Sequence, residues 1–412
     1  MIDEMTAGCE EATRRGLFQE AREVDLENAE HLLDFQLRLA DAIVQAESRG
    51  RSPGEFDRHS FLLRRCQDAL AYRLLVPHAI RQLLGTASPR AHSLCGQGDS
   101  FRTTQVAAKR YVADGHSVLL ADLSHVVRVG DIIVCDNPFV PSIVEVKAGK
   151  VAPQHVVQGR RGRQVSRSLG TIEYLRSDHA HIFGQPTPKI AVQSEESMQF
   201  SWKAINEVSL SAMREGVAVA RISEHDVILA VHGVEGRAVK VEPILGDLGR
   251  MRSPFIASHA VGLLTPELLS RPPLVWPIDN EPTIPLMEEK LILVHAIDLA
   301  RFTDPLEEDF RVLDFSYERG FVTKRRGERG TASPRFINDV MFGYATIESA
   351  VSALREMHDL TKAALDAQAG KPSPASPKAT KIDSRGLDFS EQPAVVLETK
   401  DARYKIDVHR SQ

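Results

Sequence analysis

The segment from Gly130 to Lys150 constrains the fold of this chain more than any other. It contains two apolar, β-prone runs, residues 132–135 and 143–146, with polar residues and two prolines between them. Short runs of this kind that are separated by turn residues are typical of a β-hairpin. The sequence therefore predicts two antiparallel strands joined by a short loop centred near Pro138 and Phe139.

The register of this hairpin brings charged residues together. With the loop centred there, the numbers of paired residues sum to about 277, which places Asp131 opposite Glu145 or its neighbour. Side chains alternate along a strand, so Glu145 and Lys147 share a face. Directly opposed like charges destabilise a sheet, so two carboxylates here favour a bound cation. The alternative is an ion pair between Asp131 and Lys147, with Glu145 in solvent.

Carboxylate oxygens are the ligands that Mg²⁺ takes in proteins, and two short acidic side chains on neighbouring strands can share one ion. Lys147 is then placed to hold the attacking water or to stabilise charge that develops on a phosphate. The hairpin therefore predicts a metal-dependent phosphodiesterase centre.

A basic segment follows the hairpin and is predicted to form a helix. It reads HVVQGRRGRQVSRSLGTIEYL from His155, with apolar residues at helical spacing. Its arginines are Arg160, Arg161, Arg163 and Arg167. Several of them could meet consecutive phosphates of a nucleic acid, contacts that are independent of base sequence. The alternative is a solvated charged face.

An aspartate after Gly130, the Glu145-Val146-Lys147 strand and the basic helix together resemble the PD-(D/E)XK nuclease superfamily. The resemblance covers roughly residues 98 to 195. It implies Asp131 and Glu145 as metal ligands, the backbone carbonyl of Val146 as a third ligand, and Lys147 as the catalytic lysine.

The resemblance also assigns a role to Gln164, which is similar to the helix glutamine that many members carry near the metal. Two features depart from the pattern. The aspartate follows glycine rather than proline, and the predicted first helix offers Gln105 where many members have an acidic residue.

The core of that superfamily has a helix, three strands, a second helix and a further strand. Here the helices would be Phe101 to Asp114 and Val156 to Arg176, and the further strand would be Lys189 to Val192. The predicted fold class is therefore α/β, with a restriction-endonuclease-like mixed-sheet core flanked by helices.

Patterning along the chain predicts four regions. Residues 1–95 read as a helical N-terminal region, and residues 96–200 as the nuclease-like core. Residues 201–365 read as an α/β extension closed by a C-terminal helix. Residues 366–412 read as a Pro/Ser/Ala/Lys linker and flexible tail.

Composition excludes several classes of protein. The net charge of −5 argues against a basic coat, so a nucleic-acid surface must be local. The four cysteines have no metal-binding spacing and fit a reducing compartment. No apolar stretch reaches the ~18 residues of a membrane span. We therefore expect a cytoplasmic protein that makes no membrane contact.

The expected activity is Mg²⁺- or Mn²⁺-dependent hydrolysis of DNA. The alternative is a nucleic-acid-binding or assembly protein that retains a nuclease-like fold without turnover. DNA is the expected partner, and the helical N-terminal region would pack on the core, on a protein partner or on a second copy of the chain. By analogy alone, such a nuclease serves a bacterial defence (antiviral) or repair system.

Overall fold

The computed structural model of the chain shows a mixed α/β protein, as the sequence predicts. It describes residues 2–48, 57–84, 93–147, 159–177, 179–180, 189–190, 198–233, 242–260, 270–303, 310–316, 320–325, 328–332, 334–368, 377–382, 394–399 and 403–408. The chain divides into two compact units. The first unit comprises Met1–Ala191 and Gly370–Gln412, and the second unit comprises Val192–Ala369.

The elements follow in chain order. The helices are α1 (Ile2–Glu23), α2 (Ala29–Ser48), α3 (Arg58–Leu74), α4 (Pro77–Leu84), α5 (Asp99–Ala113), α6 (Gly159–Ser177), α7 (Trp202–Glu215), α8 (Leu245–Leu248), α9 (Asn280–Met287), α10 (Ala300–Thr303), α11 (Pro334–Met341) and α12 (Ile347–Gln368). The strands are β1 (Val118–Leu120), β2 (Ile132–Val134), β3 (Ser142–Lys147), β4 (His179–Ala180), β5 (Lys189–Ile190), β6 (Val217–Ser223), β7 (Asp226–His232), β8 (Pro254–Ser258), β9 (Leu291–Asp298), β10 (Phe310–Ser316), β11 (Gly320–Arg325), β12 (Glu328–Ala332), β13 (Pro377–Ile382), β14 (Val395–Thr399) and β15 (Arg403–Val408).

The predicted hairpin is present in the first unit. Strands β2 and β3 are antiparallel, and Ile132 pairs with Val144. Extended by one residue, this register sets Asp131 beside Glu145, as predicted. The hairpin lies inside a six-stranded sheet with the order β1-β2-β3-β14-β15-β13.

Of the predicted further strand, Lys189 to Val192, the structure describes Lys189–Ile190. Lys189–Ile190 pairs only with the two-residue strand β4, within the described residues. The strand that adjoins β3 is β14, which runs parallel to it and pairs Leu397 with Glu145. The other described ladders of this sheet are antiparallel, so the sheet is mixed.

The C-terminal segment therefore differs from the predicted linker and flexible tail. Three strands of the sheet, β13, β14 and β15, come from residues 377–408. Val395 and Val396 are buried, with 1% and 0% of their surfaces exposed. The predicted regions 1–95 and 96–200 fall largely in the first unit, and the C-terminal strands also belong to it. The second unit lies between these two parts of the first unit in sequence.

The N-terminal helices pack on the edge of this sheet. Gln36 on α2 donates to the carbonyl of Val118 at 2.8 Å and accepts from the N–H of Leu120, also at 2.8 Å. Gln67 on α3 donates to the carbonyl of Leu120 at 3.1 Å. These side chains satisfy backbone groups that an edge strand leaves unpaired. The N-terminal helices therefore pack on the sheet of their own chain, and the predicted contacts with a protein partner or a second copy stay predictions.

A buried ion pair anchors the loop that leads from β1 to the hairpin. Arg65 and Asp68 on α3 are fully buried and lie 2.7 Å apart. The second carboxylate oxygen of Asp68 accepts hydrogen bonds from Ser124 Oγ at 2.7 Å and from the N–H groups of His125 and Val126 at 2.8 and 3.2 Å. This carboxylate therefore binds three consecutive residues of the loop and helps to fix its geometry.

Replacing Asp68 with asparagine is expected to lower the free energy of unfolding of the first unit by roughly 3 to 5 kcal/mol, because it leaves Arg65 buried without its counter-ion. Burial opposes ionisation of Asp68, but Arg65 and the hydrogen bonds from Ser124 and His125 outweigh it and hold the pKa below its usual range. The carboxylate thus stabilises the fold at neutral pH, and that stabilisation is lost as pH falls through the lowered pKa.

Urea unfolding at several pH values measures this effect. Asp68→Asn should unfold at lower urea than wild type at pH 7, and the two curves should converge in acid. Asp99→Asn is the control, since Asp99 is 97% exposed and its contact with Arg102 is 3.9 Å long. Equal unfolding midpoints for Asp68→Asn and wild type at pH 7 would contradict the prediction.

The second unit contains two further sheets. The four-stranded sheet has the order β6-β7-β9-β8, and the three-stranded sheet has the order β10-β11-β12. Strand β9 is followed by the short helix α10, and α12 is the C-terminal helix that was predicted to close the extension. Helix α7 packs on the four-stranded sheet through Ile205 and Val208. None of the helices within the described ranges is long and apolar enough to cross a membrane.

Candidate metal centre

Gly130 sets the path of the chain where the hairpin begins. Its φ is +81°, in the left-handed region that favours glycine. A Cβ at this position would lie 2.6 Å from Ile143 Cγ2 and 3.3 Å from the Val144 carbonyl oxygen. Only glycine fits this close approach. The next residue, Asp131, then donates its N–H to the Val144 carbonyl at 2.8 Å.

Alanine in place of Gly130 is expected to lower the free energy of unfolding by roughly 2 to 4 kcal/mol, through backbone strain and the clash with Ile143. Gly115→Ala is the matched control. Gly115 has a φ of +93°, but an added Cβ would meet nothing within 4 Å. Denaturant unfolding should show a larger loss for Gly130→Ala. Equal losses in the two variants would show that the close contact is unimportant.

Lys147 lies between the two predicted carboxylates. Its Nζ is 3.2 Å from Glu145 Oε2 and 3.7 Å from Asp131 Oδ2. The same Asp131 oxygen accepts a hydrogen bond from the N–H of Val146 at 2.6 Å. The structure thus brings the predicted Asp131, Glu145 and Lys147 into one cluster on neighbouring strands.

Burial makes it unfavourable for both carboxylates of this cluster to be ionised. The Glu145 side chain is 5% exposed and that of Asp131 is 26% exposed. Burial and the neighbouring Glu145 carboxylate raise the pKa of Asp131 to about 7, although Lys147 acts in the opposite direction. One ammonium does not fully offset the buried Glu145 and the part-buried Asp131 carboxylates. A divalent cation would do so, because an opposite charge within reach favours the ionised form.

Helix α6 covers the face of the sheet that carries Glu145. Ser168 is fully buried on this helix, and its Oγ donates to Glu145 Oε1 at 3.4 Å. Gln164 lies one helical turn before Ser168, and residues four apart lie on the same helix face. The structure therefore puts the half-buried Gln164 on the face that contacts Glu145.

The predicted arginines all lie on α6. The side chains of Arg160, Arg161 and Arg163 fall outside the described part of the chain, so their predicted phosphate contacts stay predictions. Arg167 is half-buried. Its Nε is buried and has no hydrogen-bond partner among the described residues. An incoming oxyanion would satisfy such a donor.

Several oxygen atoms that could coordinate a metal ion lie on one side of the hairpin. The N–H and C=O of one strand residue point toward the same neighbouring strand. The Val146 carbonyl therefore points to the side where its N–H meets Asp131. The carboxylate oxygens of Asp131 and Glu145 and this carbonyl oxygen form a ligand set that suits Mg²⁺. In proteins, Mg²⁺ is usually bound by one or two carboxylates, and water molecules complete its coordination shell. The predicted ligand set is chemically compatible with the ion.

The set is nevertheless small. Where the structure describes side chains, no group of three or more His, Cys, Asp and Glu residues could hold a metal ion. The fit rests on two carboxylates and one carbonyl. The substrate phosphate and water would have to supply the remaining ligands.

Sequence reasoning missed one acidic residue near this cluster. Asp122 lies in a 3₁₀ turn, Ala121–Leu123, directly after β1. Its charge contributes to the raised pKa of Asp131, and the N–H of Ala121 donates to the Asp131 carbonyl at 3.0 Å. No motif spacing indicates this proximity, which arises because β1 pairs with β2.

Glu398 is a second buried acid near the hairpin, but it faces away from the cluster. It pairs with Val146 in the parallel ladder, so it points to the face opposite Glu145. Its carboxylate accepts from Arg110 at 3.3 Å and from Tyr111 at 3.4 Å, both on α5. Glu398 therefore holds α5 on the sheet.

No protein-family model, curated protein or solved structure matches this chain. The functional argument therefore rests on the chain's own residues and strand order.

Proposed function

We propose that the chain is a nuclease that hydrolyses DNA phosphodiester bonds with Mg²⁺ or Mn²⁺ through Asp131, Glu145 and Lys147. The observation that carries the proposal is the position of the Lys147 ammonium, 3.2 Å from Glu145 and 3.7 Å from Asp131 on two adjacent strands. Two acids and a lysine in this arrangement resemble the centre of PD-(D/E)XK nucleases.

The order of elements around the cluster supports the proposal. Helix α5 precedes β1, β2 and β3, helix α6 follows them, and β14 continues the sheet in parallel beside β3. This order is similar to the restriction-endonuclease-like core. The last strand comes from the C-terminal segment, so the proposed core is discontinuous in sequence.

The chain's own residues divide the proposed work. Asp131, Glu145 and the Val146 carbonyl would hold the ion. When bound, Mg²⁺ or Mn²⁺ supplies a Lewis acid for the phosphate and a water of lowered pKa. Lys147 would orient that water or stabilise the charge on the phosphate. The α6 arginines would hold the DNA backbone without reading bases.

A second candidate function is nucleic-acid binding or assembly without turnover. One observation favours it: among the described side chains, the acidic set stops at two carboxylates that Lys147 already contacts. A non-catalytic protein could keep this ion pair for stability alone. It would bind DNA with or without a divalent cation.

A DNA cleavage assay distinguishes the two candidate functions. The purified full-length protein is incubated with supercoiled, linear and single-stranded DNA. The nuclease proposal expects cutting with Mg²⁺ or Mn²⁺ and none with EDTA. Lys147→Ala, purified identically, controls for a contaminating nuclease. Binding without cutting on every substrate would favour the second function. Cutting that survives in EDTA or in Lys147→Ala would overturn the proposed site.

A further inference from the structure

The Lys147 ammonium contacts one oxygen of each carboxylate in the proposed metal site. It contacts Glu145 Oε2 at 3.2 Å and lies 3.7 Å from Asp131 Oδ2. The other Glu145 oxygen accepts from Ser168 at 3.4 Å. A cation that takes Glu145 Oε2 and Asp131 Oδ2 would therefore compete with this ammonium for those two oxygens.

Limited exposure makes that competition strong. The Lys147 side chain is 21% exposed and that of Glu145 is 5% exposed, so water screens these charges only in part. Without a bound ion, the ammonium is the positive charge that contacts both acids. Its removal would leave two neighbouring carboxylates that repel each other.

We propose that Lys147 is an exchangeable counter-ion, which neutralises the acid pair in the metal-free protein and leaves the carboxylates when a divalent cation binds. The inference rests on the proposed function, because it takes the metal site as given. The inference adds that Lys147 limits the affinity of the site for a metal ion and also takes part in cleavage. Loss of the lysine charge should then tighten metal binding while it abolishes cutting.

Calorimetric titration of Mn²⁺ into the full-length protein tests the exchange. Lys147→Met should bind Mn²⁺ about tenfold more tightly than wild type, which corresponds to about 1.4 kcal/mol. Lys147→Arg, which keeps the charge, should stay close to wild type. Glu145→Gln should bind weakly or not at all.

The outcomes separate this inference from the proposed function. Equal or weaker binding by Lys147→Met, with measurable binding by wild type, overturns the counter-ion role and leaves the nuclease proposal standing. Binding by Lys147→Met alone supports the exchange. No binding by either protein overturns both the exchange and the proposed metal site.

A measurement on wild type keeps the test independent of whether Lys147→Met folds. Acetylation of lysines by an amine-reactive ester, followed by mass spectrometry, reports how well each amine is protected. Ca²⁺ should release Lys147 from the carboxylates and increase its rate of labelling. Exposed Lys109 on α5 is the reference and should not change. An unchanged or slower rate at Lys147 in protein that binds Ca²⁺ would overturn the exchange.

Discussion

Glutamine in place of Glu145 is expected to reduce the proposed metal-dependent DNA cleavage by about 10³-fold or more. The side chain keeps its size and its contact with Ser168, but the anionic ligand is lost. Lewis-acid stabilisation of a phosphoryl transition state is worth several kcal/mol, and about 4 kcal/mol corresponds to a factor of 10³ in rate. The loss should therefore appear in the rate even with excess metal.

Glu398→Gln is the matched control for this variant. Glu398 is also buried, at 2% exposure, and lies on the strand next to β3. Because it faces α5 rather than the cluster, its variant should retain cleavage, with some loss of stability. The two variants are compared by their single-turnover cleavage rates at saturating Mn²⁺ and by their thermal unfolding. Similar losses of cleavage in both variants would show that Glu145 acts only through the fold.

The sequence was informative about the hairpin because the hairpin is local. Its register follows from two apolar runs and the turn residues between them, which fix which side chains face each other. That register alone brings Asp131 to Glu145. The helix after the hairpin was also predictable: α6 is described from Gly159, and the predicted start at Val156 lies outside the described residues.

The partner of β3 could not be read in the same way. A short apolar run such as residues 394–397 shows that a strand is plausible but not what it pairs with. The resemblance implies a further strand at Lys189 to Val192, but it does not say which strand pairs with β3. The actual partner follows the whole second unit in sequence, and burial of Val395 and Val396 against their neighbours selects it.

The electrostatic details also lay beyond the sequence. Asp122 approaches Asp131 only because β1 pairs with β2. The contact of Lys147 with both acids depends on rotamers that alternation along a strand leaves open. Spacing predicted which groups could meet but not which of them touch without a metal.

Removal of residues 394–412 is expected to prevent the first unit from folding. The deletion removes β14 and β15, and β3 loses its parallel neighbour. Burial of Val395 and Val396 alone contributes roughly 3 to 6 kcal/mol, which is comparable with the ~5 to 15 kcal/mol total stability of a typical domain. The proposed metal-dependent cleavage should disappear together with the fold.

Hydrogen exchange monitored by mass spectrometry measures this loss directly. The truncated protein should lose amide protection across β2 and β3, the strands that carry the cluster. Deletion of residues 409–412 alone is the control, since it leaves β15 intact and should preserve protection. Trp202 and Trp276 both lie in the second unit, so their emission reports on that unit separately. Protection of β3 in the longer truncation would show that β3 folds without β14. The C-terminal strands would then not be required for β2 and β3 to fold.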